Sequence, residues 1–470
     1  MTLGSPLQKG GGGELAREIT ITLLLIVLYR VGVQIPIPFV YEKALTNLFR
    51  GESPVRFSIF ALGLMPYVNA SILVEIGSLF IPFLKKFRRG DYPGRRRLRG
   101  YALWMTLFMA VFQSAMVVKG LAEMASPTDI PVLNIRFFYE YAVIVLTLTG
   151  GVFLLIFVAE LISRYGIGNG VSILLLMGIC AGYSHNIVRI KRLIDEVGFS
   201  LFPFFIIFVI VFLVLILLRT EISIPVRHRG LREPVSFFRL NTCPSGNAAI
   251  GYASSFILLP LTLFHFFGGG DYFARILLPR GLIYNALLVI FIFVFSYLFA
   301  YLFFHPKRRS HGMSERGWQI EEGDYNTLRG LSRKLLIYNF PWTVLLCVFA
   351  IVPHILITQF SMPIYIGGAT LFLPVAISID VWDRLNVLRK TKSTKLCKIA
   401  ELHDVYDASM VRRHMESEGI FCHFQGFYHR RLLYFFGPYI DISVKVAATD
   451  RESAEELLRK YYNGLGLLRE

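Results

Sequence analysis

Long apolar stretches, separated by shorter polar connections, dominate the pattern of hydrophobic and polar positions along the chain. A transmembrane helix needs about 20 predominantly apolar residues to cross the hydrocarbon core of a bilayer. Stretches of this kind lie at residues 18–37, 57–84, 101–122, 138–162, 167–188, 200–218, 248–268, 281–304, 335–359 and 362–382. The pattern therefore predicts an all-α polytopic membrane protein with ten transmembrane helices.

The composition supports this class. Of the 470 residues, 54% are hydrophobic and 17% are charged, and the mean hydropathy is +0.55. Soluble domains contain about 45–50% apolar and about 25% charged residues. The chain is therefore too apolar for an ordinary soluble protein.

The distribution of Lys and Arg predicts which connections face the cytoplasm, because short cytoplasmic loops carry an excess of positive charge. The second, sixth and eighth connections are the most basic, and they contain Arg95, Arg96, Arg97, Arg227, Arg229, Arg232, Arg308 and Arg309. These even-numbered connections, and with them both termini, are expected in the cytoplasm. Arg189, Lys191 and Arg192 in the fifth connection depart from this pattern.

The formal net charge of +17 allows two interpretations. It is a topology signal that also attracts anionic lipids, or it forms a docking surface for an acidic or nucleic-acid partner. The length of the sixth and eighth connections favours a docking surface in those two loops. The eight arginines named for the second, sixth and eighth connections are accordingly our candidates for partner docking.

No sequence motif indicates enzyme chemistry. The chain has neither a GxxxxGK[ST] phosphate loop nor an HExxH motif, and its cysteines lack paired or metal-ligand spacing: Cys180, Cys243, Cys347, Cys397 and Cys422. We therefore expect no catalytic activity, no cofactor, no metal and no disulfide. Residues 1–14 lack a signal-peptide cleavage pattern and are predicted to be a flexible leader before an interfacial helix at residues 14–19.

Polar residues inside the second apolar stretch need an explanation. Glu75 is the most demanding of them, since an ionisable group at membrane depth costs at least ~2.5 kcal/mol and normally faces protein or a water-filled cavity. The fifth and tenth stretches begin with glycine-rich turns. These features predict a bundle whose internal pathway narrows at an apolar constriction. A secondary transporter with broken helices shares them, although it also requires convergent charges for its substrate.

Several motifs resemble the SecY family of protein-conducting channels. "RFSIFALGLMPYVNASILVEI" (56–76) is similar to the second transmembrane segment of that family, "RYGIGNGVSILLLMGICAG" (164–182) to the fifth, and "IGGATLFLPVAISID" (366–380) to the tenth. The resemblance covers roughly residues 15–390 and implies ten helices in a pseudo-twofold bundle. It implies the pore subunit of a channel that passes unfolded secretory polypeptides across the bacterial cytoplasmic (inner) membrane and releases membrane proteins sideways into lipid.

The resemblance also assigns roles to residues. It implies a ring of aliphatic side chains that seals the pore, with ring positions at Leu64, Val68, Val171, Leu175 and Leu373. The sixth ring position falls on Gly251, which departs from the family, and we take the neighbouring Ile250 as the ring member. It implies a plug that contains Leu45, Phe49, Phe57 and Phe60, and a lateral gate that contains Asn69, Glu75, Ser254 and Ser255. For each of these residues, ordinary helix packing is the alternative interpretation. The implied partners are SecE-like and SecG-like small membrane subunits, a SecA-type motor ATPase and the ribosome.

Two other features depart from the family. In the eighth connection, "GWQIEEG" places Gln319 at a position where the family has an arginine that contacts the ribosome and the motor. The position is therefore retained as a docking candidate with altered charge. This departure supports an alternative hypothesis, a divergent SecY paralogue that serves few substrates.

The second departure is a tail domain at residues 395–465. Its pattern predicts a strand, an amphipathic helix at residues 406–417 that ends at Gly419, two further strands, and a helix capped by Thr449 or Asp450. This βαββα order resembles a family of small signal-transducing domains with a ferredoxin-like α+β fold. The tail domain is expected to be cytoplasmic, either as a stable appendage or as a regulatory or partner-docking module.

Overall fold

A computed structural model describes most of the chain. The described residues are 12–39, 58–89, 92–123, 137–178, 180, 205, 208–209, 212–213, 216, 220–228, 236–241, 249–254, 256–257, 281–303, 318–320, 324–360, 369–391, 396–402, 405–432 and 442–462. Side chains are described for most of these positions.

Helices occupy the described parts of the predicted membrane region. They are α1 (Gly12–Val33), α2 (Met65–Phe80), α3 (Pro82–Arg89), α4 (Tyr92–Glu123), α5 (Phe138–Tyr165), α6 (170–178), α7 (249–254), α8 (Leu282–Phe303), α9 (Asp324–Phe360) and α10 (Ala369–Thr391). Residues 14–19, predicted as an interfacial helix, are the first turns of α1 and continue into it without a break.

Four of these helices are long and apolar enough to span a membrane within the described part of the chain. The qualifying segments are Arg97–Gly120, Phe138–Tyr165, Leu282–Tyr301 and Arg333–Val352. They coincide with the third, fourth, eighth and ninth apolar stretches. The apolar helix at Met65–Val74 is shorter. The chain is thus a mostly helical membrane protein, while the count of ten spans stays a prediction.

A small antiparallel sheet joins two connections between apolar segments. Its strands are β1 (Glu221–His228), β2 (Ser236–Asn241) and β3 (Trp318–Ile320), in the order β2-β1-β3. The first two strands belong to the sixth connection and β3 to the eighth. The sheet therefore connects two loops that lie far apart in sequence, and we call it the loop sheet.

The tail domain alternates strands and helices. Its elements are β4 (Leu396–Leu402), α11 (Val405–Ser417), β5 (Cys422–Gln425), α12 (Phe427–Leu432), β6 (Ile442–Ala447) and α13 (Arg451–Tyr461). The antiparallel sheet has the order β4-β6-β5. The pattern of buried positions in α11 explains its helix, since Ala408, Val411 and Met415 repeat at intervals of three and four residues and are all buried.

The residues predicted to end α11 and to cap α13 behave differently in the structure. Gly419 follows α11 with a φ of +78°, a left-handed conformation that glycine adopts without strain. Asp450 precedes α13, but its side chain makes no capping hydrogen bond. The short helix α12 is an addition to the predicted order, because six residues are too few to show a helical period.

Two large apolar clusters organise the described residues. One lies among the membrane helices, and the other fills the tail domain. Val226 of β1 and Leu335 of α9 belong to the tail cluster, and both are buried. The tail domain therefore packs against the loop sheet and against α9, and its core continues into the channel region.

Candidate pore and lateral gate

The first two ring positions lie at the start of α2. Leu64 is the N-cap residue, and Pro66 occupies the first turn of the helix, where its missing N–H is not needed for an intrahelical bond. Val68 follows Leu64 by four residues, and the Val68 N–H donates to the Leu64 carbonyl at 3.0 Å. The exposed fraction is 4% for Leu64 and 7% for Val68. Both aliphatic side chains thus point into the apolar interior of the bundle.

A glycine-rich turn positions α6, which carries the next two ring positions. The Asn169 side chain accepts a hydrogen bond from the Ser172 N–H at 3.2 Å and so caps the helix. Val171 is buried and Leu175, one turn later, is half-buried. Gly168 adopts a φ of +69°, a conformation that favours glycine.

Neighbouring helices hold this turn in place. The Ile167 N–H donates to Thr22 Oγ1 of α1, and the Gly170 N–H donates to Ser163 Oγ of α5, both at 2.9 Å. A Cβ on Gly170 would lie 1.9 Å from the Ala159 carbonyl oxygen. Only glycine fits at this distance, so the motif GIGNG sets how closely α6 approaches α5.

The helix α7 supplies the ring position that departs from the family pattern. Ile250 is 7% exposed, while its neighbour Gly251 is half-buried. Tyr252 packs against Phe299 of α8, with ring centroids 4.7 Å apart. These contacts fix the rotation of α7 and leave Ile250 facing the apolar interior.

The structure brings most of the ring positions into one apolar cluster. Leu64, Val68, Val171 and Ile250 are buried members of this cluster, and Leu175 packs against it. Leu373 lies in α10, and its side chain is outside the described part. The aliphatic ring remains a prediction, and its described members belong to the same apolar cluster.

One of the predicted plug residues is described. Phe60 is 9% exposed and stacks on Tyr29 of α1, with ring centroids 6.0 Å apart. A Cβ on Gly32 would lie 2.1 Å from the Phe60 ring, which shows how closely this segment packs against α1. Leu45, Phe49 and Phe57 lie outside the described residues.

The predicted lateral gate is described at two positions. Asn69 is half-buried in α2, and Ser254 Oγ donates to the Ile250 carbonyl at 2.6 Å within α7. Glu75 lies in α2, but its side chain is not described, and Ser255 lies outside the described residues. Ser71 of α2 is fully buried and donates to the Tyr67 carbonyl, so one polar residue of this helix is satisfied by its own backbone.

Two predicted docking residues from different loops are neighbours in the loop sheet. Arg227 of β1 and Gln319 of β3 are paired in register. Since successive strand residues alternate between faces, both lie on the face opposite Val226, which is buried against the tail domain. The altered position Gln319 thus adjoins an arginine of the sixth connection.

The other docking candidates are described less completely. Arg97 of α4 is exposed, and its guanidinium lies 5.6 Å from the centroid of the Phe87 ring. Arg95 and Arg96 lie in the first turns of α4, but their side chains are not described. Arg229, Arg232, Arg308 and Arg309 fall outside the described residues.

Polar contacts between membrane helices were missed by the sequence analysis. Ser296 of α8 lies 2.8 Å from Thr343 Oγ1 of α9 and accepts a hydrogen bond from Asn339 Nδ2 at 3.0 Å. Ser114 of α4 and Thr149 of α5 are 3.3 Å apart. All are buried, and such contacts hold membrane helices together. The partners lie 35 to 47 residues apart, so no local sequence motif indicates these contacts.

Comparisons with known proteins identify the fold and the family. The protein translocase subunit SecY of Aquifex aeolicus is 27% identical over 417 residues, which cover 81% of this chain and 96% of the relative. That of Escherichia coli K12 is 28% identical over 414 residues, covering 81% and 93%. A solved SecY structure, described by its plug domain that stabilises the closed state of the translocation channel, covers 84% of this chain and 96% of its own with a TM-score of 0.56 at 15% identity.

The family profile of SecY matches residues 58–382, which is more than half of the chain. The matched range begins at the segment that contains Phe60 and ends inside α10. The tail domain lies beyond it. The chain therefore belongs to the SecY family.

Proposed function

We propose that the chain is the pore subunit of a protein translocation channel. Unfolded secretory polypeptides would pass through the ring of Leu64, Val68, Val171, Leu175, Ile250 and Leu373. The observation that carries this proposal is the convergence of the described ring positions in one buried apolar cluster. Family membership supports it independently and disfavours a secondary transporter.

The chemistry of the ring suits a seal that must open for many sequences. Aliphatic side chains offer water no hydrogen bonds, so a narrow constriction lined by them excludes water and ions by dewetting. The same side chains do not require any particular polar group in the polypeptide that passes between them. Phe60 and the preceding plug residues would close the pore from the other side when no chain is present.

The lateral exit lies between α2 and α7 in this proposal. Asn69, Glu75, Ser254 and Ser255 would line the two edges of the gate. Val68 and Ile72 of α2 share the apolar cluster with Ile250 and Ile257 of the α7 region. Separation of these two faces would expose a passing apolar segment to lipid.

Energy and assembly would come from partners. We assign no ATPase to the chain, so a SecA-type motor or the translating ribosome would drive transport, docking on the basic loops and the loop sheet. SecE-like and SecG-like small subunits would complete the complex, and anionic lipids would bind the basic connections. The channel domain, residues 15–390, would have ten spans in the bacterial cytoplasmic membrane with both termini in the cytoplasm.

For the tail domain, residues 395–465, we propose a ferredoxin-like fold. The order β4-β6-β5 supports it, because the first, third and second strands of that fold are adjacent in the same antiparallel arrangement. Gln319 and this domain together favour the more specific proposal of a divergent paralogue that serves few substrates. A second, conventional SecY gene in the same genome would support that version.

The direct test is photocrosslinking from a stalled secretory polypeptide to a photoreactive residue at Val68, with and without a motor ATPase. A matched control places the same residue at Leu146, an α5 position whose exposed fraction of 68% marks it as facing outward. Signal-sequence-dependent crosslinks at Val68 and none at Leu146 are expected. If the polypeptide never reaches Val68 while small solutes protect it, the channel proposal fails.

A further inference from the structure

The part of the polar face of the tail sheet that β5 contributes is buried against the channel. Register pairs Lys445 of β6 with Lys398 of β4 and with His423 of β5, so these residues share one face of the sheet. His423 is 1% exposed and Gln425, also in β5, is 8% exposed. In an isolated domain this polar face would be in water, so its burial requires compensating contacts.

Carboxylates on α10 supply several of these contacts. Asp383 pairs with Arg412 of α11 at 2.6 Å, and its other oxygen lies 3.5 Å from His423 Nδ1. Burial raises the pKa of Asp383, but the nearby His423 imidazole and the charge of Arg412 outweigh burial and hold that pKa below its usual value. The carboxylate is therefore charged at neutral pH and binds the tail domain to α10.

A second ionic contact links the same region to the first helix. Arg384 of α10 forms an ion pair with Glu18 of α1, and the Arg384 side chain is 8% exposed. Burial first, and then the charge of Arg384, lowers the pKa of the neighbouring Lys445. The tail sheet, α10 and α1 thus meet in one charged junction at the cytoplasmic ends of the helices.

Two consecutive tail residues reach different elements of the channel. Gln425 Nε2 donates to the Gly168 carbonyl at 2.7 Å, and the Gly426 N–H donates to Asp380 Oδ1 of α10 at 3.3 Å. Gly168 belongs to the turn that positions Val171 at the start of α6. The dipeptide Gln425–Gly426 therefore connects the entry of the pore helix to the middle of α10.

We propose that the tail domain is an intramolecular latch that restrains pore opening. The latch consists of the Gln425–Gly426 bridge and the Arg412–Asp383 ion pair. It rests on the proposed function, because widening the ring requires α6 to move relative to the helices around it. Since α6 and α10 both carry ring positions, a bridge between them restrains that movement.

The position of α11 gives the latch a route of release. This helix carries Arg412 and also packs against β2 of the loop sheet. A cytosolic partner that displaces the loop sheet would therefore also displace α11, the helix that carries Arg412 of the Arg412–Asp383 ion pair. Docking and opening would be coupled through α11 without a ligand site in the tail domain.

Single-channel recording of the full-length chain in planar bilayers tests this latch. Gln425→Ala removes one hydrogen bond and is expected to raise the open fraction about two- to tenfold, which is the typical effect of one such bond on an equilibrium. Arg412→Ala leaves Asp383 buried without its cation and is expected to raise the open fraction more than about tenfold.

Arg413→Ala is the matched control for Arg412. It removes the same charge one residue away, where the side chain is 43% exposed and pairs only with Glu416 among the described contacts. Leu64→Ser, which should make the ring leak, is the positive control for the channel. Hydrogen exchange of the β6 amides shows whether each variant keeps its tail domain folded, and exchange of amides 166–170 reports on the turn itself.

The outcomes separate the two proposals. Increased opening and faster exchange at residues 166–170 in Gln425→Ala and Arg412→Ala, with Arg413→Ala like the wild type and β6 protected in all variants, supports the latch. If only Leu64→Ser conducts, or if Arg413→Ala opens as often as Arg412→Ala, the latch is wrong and the channel stands. If Leu64→Ser conducts no better than the wild type, the proposed pore fails and the latch with it.

Discussion

Replacing Gly151 with Ala tests how closely α5 packs against the segment that leads into the pore. A Cβ at Gly151 would lie 2.1 Å from the Ile59 carbonyl oxygen, whereas ordinary contact begins at 3.4 Å. The difference, 3.4 − 2.1, requires a displacement of about 1.3 Å. Ile59 cannot yield easily, because its N–H donates to the Ile35 carbonyl at 3.0 Å and the adjacent Ser58 forms a β-bridge with Pro36.

The adjacent Gly150 provides a matched control. A Cβ there would meet no atom within 4 Å, so Gly150→Ala should only gain the helix propensity of alanine, about 1 kcal/mol. Gly151→Ala gains the same propensity but adds an overpacking cost of about 1–3 kcal/mol. The two variants should therefore differ in free energy of unfolding by about 1–3 kcal/mol, with Gly151→Ala the less stable.

Reversible unfolding of both variants in the same detergent measures this difference. Since Ile59 precedes Phe60, displacement of this backbone should also loosen the plug side of the pore, and ion conductance should rise in Gly151→Ala alone. Equal unfolding free energies and equal conductance in the two variants would refute the close packing of α5 on Ile59. A rise in conductance without any loss of stability would show that the clash is relieved by moving the plug segment.

Three other substitutions probe separate parts of the molecule. Leu64→Ser should raise ion leak in bilayer recordings, because a polar constriction wets more easily, and Leu64→Ile should not; equal conductance counts against the ring. Asn339→Ala removes the donor to Ser296 and should lower the unfolding free energy by about 1 kcal/mol, and a neutral effect would mean that the contact is not formed. Gly419→Ala places a side chain at a φ of +78° and should cost about 1–2 kcal/mol, seen as a lower Tm of the tail domain; an unchanged Tm contradicts that turn.

These helices and turns were predictable from the sequence because the residue patterns that specify them span only a few neighbouring residues. Apolar runs predicted the membrane helices at 101–122, 138–162, 281–304 and 335–359, and the spacing of Ala408, Val411 and Met415 predicted α11 within one residue of its start. The glycines of GIGNG announced the turn before α6. Each of these sequence patterns lies within or next to the helix or turn that it predicts.

Contacts between distant segments could not be predicted in this way. The pairing of Arg227 with Gln319 joins loops that are separated by several membrane segments, and the contact of Gln425 with Gly168 joins residues 257 positions apart. Neither contact needs an unusual residue type, so neither can be recognised from the composition or from the spacing of apolar residues. The burial of His423 and Gln425 on the polar face of the tail sheet could not be predicted either, since both resemble the solvent-facing residues of an ordinary strand.

The turn before α6 contains the motif GIGNG and determines where α6 lies relative to α1 and α5. A Cβ on Gly166 would lie 2.4 Å from Thr22 Oγ1, and one on Gly170 would lie 1.9 Å from the Ala159 carbonyl oxygen, so the turn is packed tightly against α1 and α5. A tightly packed turn moves as one body with the helix that it starts. In the proposed latch, the Gln425 hydrogen bond to Gly168 would therefore act on the position of all of α6, including Val171.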